Sequence, residues 1–154
     1  MILLTKKIIS NGCRFALSLT LLLGMLSAIG VARAHEHYEV VTNASVSTRS
    51  LPSNSLRAIF GMRQQTWPDG MPVKVFVLAD DAPLHGSFCK EKLSAFPYQL
   101  RQAWDRLVFS GTGQAPTKVS SSEEMFDRIA STPGAIGYLE KSKISERINV
   151  LQIK

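Results

Sequence analysis

The chain has 154 residues, 45% of them hydrophobic, and a formal net charge of +6, so it is long enough for one domain with its own core. Residues 1–34 hold four basic and no acidic side chains, which leaves 14 basic and 12 acidic side chains, or a net charge of +2, in the rest. This small excess excludes the basic surface that a nucleic-acid-binding protein requires.

The first 34 residues have the pattern of a secretory signal peptide. Three basic residues precede an almost wholly apolar stretch, 15–31, and Ala32 and Ala34 are the small residues that a signal peptidase recognises. We predict cleavage before His35, a periplasmic location, and a single domain over residues 35–154 without a membrane span. The alternative is an uncleaved anchor, for which the apolar run is marginal in length.

Strand and helix patterns alternate in the rest of the chain. We predict, in chain order, a strand (38–42), a loop (43–52), a helix (53–60), a turn (67–70), a strand (73–78), helices (80–93 and 97–109), a loop (110–115), a helix from 121 and strands (135–139 and 148–153). The segment 53–55 (SNS) is predicted to cap the first helix with a side chain. The alternation indicates an α/β fold with a small mixed or mostly parallel sheet flanked by helices.

The segment 132–139 has the strongest local pattern. Pro133 and Gly134 predict a tight turn, and the apolar run that follows at once predicts a buried strand. Gly134 and Gly137 flank two apolar residues, which keeps side chains minimal where a neighbouring backbone or a ligand comes close.

Five stretches together carry a resemblance to a known family. They are 51–61 (LPSNSLRAIFG), 66–70 (TWPDG), 73–78 (VKVFVL), 107–111 (LVFSG) and 132–139 (TPGAIGYL), with Phe88 between the third and the fourth. In this order they resemble the phosphate-transport type of periplasmic substrate-binding protein over most of residues 38–153. The resemblance implies a single lobe of that fold that binds phosphate or another small anion for an ABC transporter.

The sequence departs from the family at its anion site. Members of the family usually place an arginine after the strand that matches 73–78 and then G-S-G-T at a helix start, where N–H groups, hydroxyls and a guanidinium surround an oxyanion. Counted back from Phe88, those positions hold Leu78 and the segment 81–84 (DAPL). Pro83 has no N–H to donate, and Asp80 and Asp81 would repel phosphate. We therefore predict that the framework is kept and that this half of the site is lost.

The family members are also about twice as long and have two lobes that close over the ligand. A single lobe leaves the former cleft face exposed, and exposed patches often mark interaction sites. The alternative function is therefore an assembly or sensor module that binds another protein, or a second copy of itself, through this face.

The best candidate for an anion-binding loop is Ser110, Gly111, Thr112 and Gly113, because it combines hydroxyls with a flexible backbone. An ordinary surface loop is the alternative. Two further polar segments, 43–50 and 120–122, are weaker candidates. For 43–50 the alternative is a plain linker, and for 120–122 it is capping of the following helix.

Histidines suggest one metal site. After the predicted cleavage, the N-terminal amine, His35 and His37 would offer the square-planar nitrogen ligands that Cu(II) prefers. His85 is predicted to be a solvated surface residue. A disordered terminus is the alternative for the first pair.

No catalytic constellation is visible. Cys89 lies in a predicted amphipathic helix and is expected to be buried packing and not a nucleophile. Trp67 and Trp104 are predicted core residues, and the pair Asp80 and Asp81 is predicted to begin a helix. We accordingly predict that the protein is not an enzyme and has no cofactor.

Overall fold

A computed structural model describes residues 38–154. The predicted signal peptide and the proposed ligands His35 and His37 lie outside the described residues. The elements are β1 (Tyr38–Asn43), β2 (Ser50–Leu51), α1 (Ser53–Phe60), β3 (Lys74–Val77), α2 (Pro83–Phe88), a π-helical turn (Cys89–Leu93), α3 (Pro97–Phe109), β4 (Thr117–Lys118), α4 (Ser122–Ser131), β5 (Ala135–Glu140), a 3-10 turn (Lys141–Lys143), β6 (Ile148–Val150) and β7 (Gln152–Ile153).

Five strands form the main sheet in the order β4-β3-β5-β1-β6. Strand β3 runs parallel to β4 and β5, whereas β1 runs antiparallel to both β5 and β6. The short strands β2 and β7 pair in parallel apart from this sheet. The prediction of an α/β fold with a small mixed sheet flanked by helices is confirmed.

Strand β5 lies at the centre of the sheet and is buried along most of its length. All its residues except Glu140 are buried, which explains why its sequence is a continuous apolar run without polar alternation. The turn before it has Gly134 at φ +76°, a conformation that favours glycine. The predicted tight turn into a buried strand is therefore confirmed.

Aromatic rings join the helices to the sheet. The ring of Phe88 on α2 stacks on Tyr138 of β5 with centroids 4.1 Å apart, and Phe60 of α1 contacts Phe88 at 4.7 Å. Both tryptophans are buried, as predicted. The indole of Trp67 donates to the carbonyl of Gly134 (3.0 Å), and that of Trp104 donates to the carbonyl of Phe60 (2.8 Å).

Two local predictions are wrong. The predicted side-chain cap of α1 is absent, and the N-cap is Pro52. The hydroxyl of Ser53 instead donates to the carbonyl of Lys154 at 3.0 Å, because the β2–β7 pair brings the last residue next to the start of α1. The acidic pair Asp80 and Asp81 precedes α2 and does not lie in its first turn, which begins at Pro83.

Helix α3 has the predicted bounds but a different environment. Only Trp104 of its apolar residues is buried, while Val108 is 48% and Phe109 88% exposed. Within residues 38–154, no helix combines the length and the apolar composition needed to cross a membrane.

Candidate functional site

The end of β3 and the start of α2 correspond to the position where the resemblance places an anion site. Leu78 is buried, and its backbone N–H donates to the hydroxyl of Tyr138 at 2.9 Å. Asp80 pairs with Arg101, and this hydrogen bond holds the pKa of the Asp80 carboxyl below its usual value. The Arg101 guanidinium therefore already has a carboxylate partner.

His85 is buried and not solvated, so that prediction is wrong. Its Nδ1 lies 2.6 Å from the hydroxyl of Tyr138, and its Nε2 lies 3.5 Å from the Sγ of Cys89. The hydroxyl oxygen of Tyr138 accepts the N–H of Leu78, so the hydroxyl proton of Tyr138 is free to be donated to Nδ1 of His85. Nδ1 is then an acceptor, and the neutral imidazole carries its proton on Nε2. The burial of His85 could have been predicted from the sequence, because helical spacing places His85, Phe88 and Cys89 on one face.

Burial keeps these groups uncharged. Desolvation lowers the pKa of His85, raises the pKa of the Cys89 thiol to about 12, and raises the pKa of Tyr138 well above its usual range. A thiol with so high a pKa is a poor nucleophile at neutral pH. The expectation that Cys89 is buried packing agrees with this environment.

The loop predicted to bind an anion follows the C-terminus of α3. The N–H groups of Ser110, Gly111, Thr112 and Gly113 donate to carbonyls of the last turn of that helix, at 3.0 to 3.2 Å. The hydroxyl of Ser110 lies 2.7 Å from the carbonyl of Arg106 and 2.8 Å from the hydroxyl of Thr112. The backbone donors therefore close the helix, and side chains are what the loop offers to a ligand.

Gly111, Thr112 and Gly113 nevertheless line a polar pocket of about 550 Å³ beside β3, which we call the β3 pocket. Ser110 does not line it and instead borders a separate depression beside α3. Its polar side chains are Gln65, Lys74, Thr112, Gln114 and Thr117. Lys74 is the one charged residue of the lining, so the pocket combines one positive charge with hydroxyl and amide side chains. Lys74 is not among the predicted site residues, although a lone lysine in an otherwise apolar strand indicates a position with a special role.

A second depression of about 500 Å³ lies between α1, the end of the π-helical turn and α3, and we call it the arginine groove. Its charged lining residues are Arg57, Arg63 and Arg106. Its apolar lining residues are Leu93, Ala95, Leu100, Ala103 and Leu107. The sequence does not predict that these residues lie together, because α1 and α3 become neighbours only through their packing.

The other two candidate segments have structural roles. The side-chain amide of Asn43 donates to the carbonyls of Ile129 and Ala130 at 2.7 and 3.0 Å, and Ser45 accepts the N–H of Gly134 at 3.1 Å. These bonds fix the segment 43–50 against α4 and the turn before β5. Ser121 caps α4 by accepting the N–H of Glu124 at 3.2 Å, as the capping alternative predicted.

Among residues 38–154, histidine, cysteine and carboxylate side chains do not form a group of three that could hold a metal ion. The copper hypothesis at His35 and His37 concerns residues outside this range.

Of the comparisons with known proteins, the one with solved structures finds matches. No protein-family model matches the chain, and no curated protein matches its sequence. Among solved structures, the chain is similar to a phosphate ABC transporter substrate-binding protein from Clostridium perfringens with bound phosphate (TM-score 0.62, 12% identity, 76% of this chain and 44% of that one). It is also similar to an ABC-type phosphate transport receptor from Vibrio cholerae (0.57, 12%, 76% and 46%) and to PstS from Borrelia burgdorferi (0.58, 16%, 77% and 47%).

The resemblance inferred from the sequence is thus confirmed at the level of the fold. The chain spans less than half the length of these structures. The first two are a substrate-binding protein and a transport receptor.

Proposed function

We propose that residues 35–154 form a non-enzymatic substrate-binding domain whose ligand is a small inorganic anion, with phosphate as the first candidate. The observation that carries this proposal is the fold, which three quarters of the chain shares with phosphate substrate-binding proteins. Fold alone does not determine function, so the proposal also needs a site.

The β3 pocket supplies that site. Lys74 provides the positive charge, and the hydroxyl of Thr117 can donate to a phosphate oxygen. The Thr112 hydroxyl donates to Ser110 Oγ, because the Ser110 proton goes to the carbonyl of Arg106, so it can donate to phosphate only in exchange for that bond. Gly111 and Gly113 flank Thr112 in the pocket lining, and Ser110 lies outside it. The start of α2 is a poorer position for an anion, because Asp81 is exposed there and Pro83 has no N–H. One ammonium group in an open pocket predicts weak binding, with a dissociation constant in the roughly millimolar range.

The signal-peptide pattern supports the further proposal that the domain is released into the periplasm after cleavage before His35. There it would deliver its ligand to an ABC transporter, the kind of system named in the descriptions of the similar structures.

Phosphate titration of ¹⁵N-labelled protein tests the site. We expect saturable shifts of the backbone N–H signals of residues 111–115 and 117, and a dissociation constant about tenfold higher for Lys74→Met, because a charge-assisted hydrogen bond is lost. Thr112→Val should weaken binding less. The matched control is Lys141→Met, which removes an exposed lysine from the 3-10 turn and should leave phosphate binding unchanged.

The absence of shifts at phosphate concentrations about tenfold above the expected dissociation constant would contradict the proposal. Equal affinities of the wild type and Lys74→Met would place any anion site elsewhere in the domain.

A further inference from the structure

We propose that the arginine groove is a docking surface for an acidic amphipathic segment of another protein. The groove is separate from the β3 pocket, and this proposal does not depend on phosphate binding.

The floor of the groove is an apolar stripe that the domain leaves partly uncovered. Leu100, Ala103 and Leu107 follow one another on the same face of α3 at helical spacing, and each is only partly buried. Leu93, at the end of the π-helical turn, is buried and completes the apolar floor of the groove. In a bundle or at an interface, such a stripe is covered by another element.

The rim of the groove carries one sign of charge. The side chains of Arg57, Arg63 and Arg106 are exposed, and the lining contains no acidic side chain. Nη2 of Arg57 donates to the hydroxyl of Ser94 at 3.1 Å, which holds its guanidinium at the edge of the groove. Guanidinium groups pair with carboxylates through two parallel hydrogen bonds, so the rim complements aspartate and glutamate side chains.

Exposed aromatic side chains also lie at both ends of α3, outside the lining of the groove. At the start of α3, Phe96 and Tyr98 stack with centroids 5.9 Å apart and are 54% and 57% exposed. At its end, Phe109 is almost fully exposed. The 13 residues of α3 span about 20 Å, which is longer than a small molecule and suits an extended or helical segment.

Charge disfavours the occupants that this chain itself could supply. A two-fold contact between copies through the groove would place each set of three arginines against the other set. Residues 1–34 carry four basic and no acidic side chains, so they are mismatched with the rim as well.

A synthetic peptide of about 14 residues, with leucines on one helical face and glutamates flanking them, is the probe. Its binding to the purified protein is followed by fluorescence anisotropy. We expect saturable binding, and binding at least about tenfold weaker for the same peptide with glutamine in place of glutamate.

Two protein variants test the groove itself. The double variant Arg57→Gln, Arg106→Gln should weaken binding at least about tenfold, whereas the charge-matched control Arg128→Gln, Arg147→Gln, on α4 and near β6, should not. Ala103→Glu places a carboxylate in the middle of the floor and should also reduce binding at least about tenfold, with helix α3 retained because glutamate favours helix.

Any of three results would overturn the proposal: no saturable binding of the acidic peptide, equal binding of the glutamate and glutamine peptides, or equal losses for the groove and control double variants. Light scattering could give a fourth contrary result. A dimer that persists in the presence of the peptide but that Ala103→Glu dissociates would assign the groove to a second copy of the chain, and this too would overturn the proposal.

Discussion

At the scale of single residues, Tyr138 satisfies three demands of the core. Its ring stacks on Phe88, its hydroxyl accepts the N–H of Leu78, and the same hydroxyl bonds Nδ1 of His85. Buried polar groups need such partners, since leaving them unpaired costs free energy. Tyr138 therefore gives partners to a backbone donor at the end of β3 and to a buried imidazole.

Replacing Tyr138 with phenylalanine should destabilise the domain. The ring stays, but the N–H of Leu78 and Nδ1 of His85 lose their partner, so the free energy of unfolding should fall by about 1–3 kcal/mol. Equilibrium denaturation in urea, followed by circular dichroism, measures this difference.

Tyr98→Phe is the matched control, because Tyr98 is 57% exposed. The same removal of a hydroxyl should change the free energy of unfolding by less than about 0.5 kcal/mol there. Equal effects of the two substitutions would show that the buried hydroxyl of Tyr138 contributes no more than an exposed one.

At the scale of elements, the close contact between β5 and α4 depends on Gly137. A Cβ atom at this position would lie 2.7 Å from Cδ1 of Ile129 and 3.0 Å from Sδ of Met125. Gly134 is more restricted still, because its φ is positive and its Cβ would lie 2.2 Å from the carbonyl oxygen of Pro72. Gly137 therefore sets how closely α4 approaches β5, and Gly134 sets how closely the turn before β5 approaches the segment before β3.

Gly137→Ala should lower the free energy of unfolding by about 1–3 kcal/mol, because the added methyl group overpacks the contact with α4. Gly86→Ala, in α2, is the control: no atom lies within 4 Å of its Cβ position, so alanine should stabilise the domain by up to about 1 kcal/mol. Thermal or urea denaturation of both variants checks the signs, and a stabilising Gly137→Ala would refute the tight packing.

The elements show what could be predicted from the sequence. Helix α3 and strand β5 have strong local patterns, and their positions agree with prediction. The two-residue strands β2 and β4 have no local pattern, since each is defined by the strand it pairs with. The helical pattern of α3 predicts an apolar face but not whether the domain covers it.

The same limit applies to the candidate sites. The loop at Ser110 could be located from its glycines and hydroxyls, but the use of its N–H groups to close α3 depends on backbone geometry. Lys74 and Thr117 belong to neighbouring parallel strands and are far apart in sequence, so their common pocket depends on the sheet order.

At the scale of the whole domain, residues 38–154 share one hydrophobic core although they match less than half of the similar structures. Strand β5 pairs with both β3 and β1, and the Phe60, Phe88 and Tyr138 rings connect two helices to it. Such a core can hold the domain together without a second lobe.

We therefore expect residues 35–154, expressed alone, to unfold in one cooperative transition. Trp67 bonds the turn before β5 and Trp104 bonds the end of α1, so Trp104→Phe and Trp67→Phe each leave a fluorescent probe in a different part of the core. Each variant loses one hydrogen bond and should be less stable than the wild type by about 1–3 kcal/mol. Within each variant, the fluorescence and far-ultraviolet circular dichroism transitions in urea should nevertheless coincide. In Trp67→Phe, which retains Trp104, a fluorescence transition that precedes the circular dichroism transition would mean that the α1–α3 contact opens independently of the sheet, and the arginine groove would then be mobile in the absence of a partner.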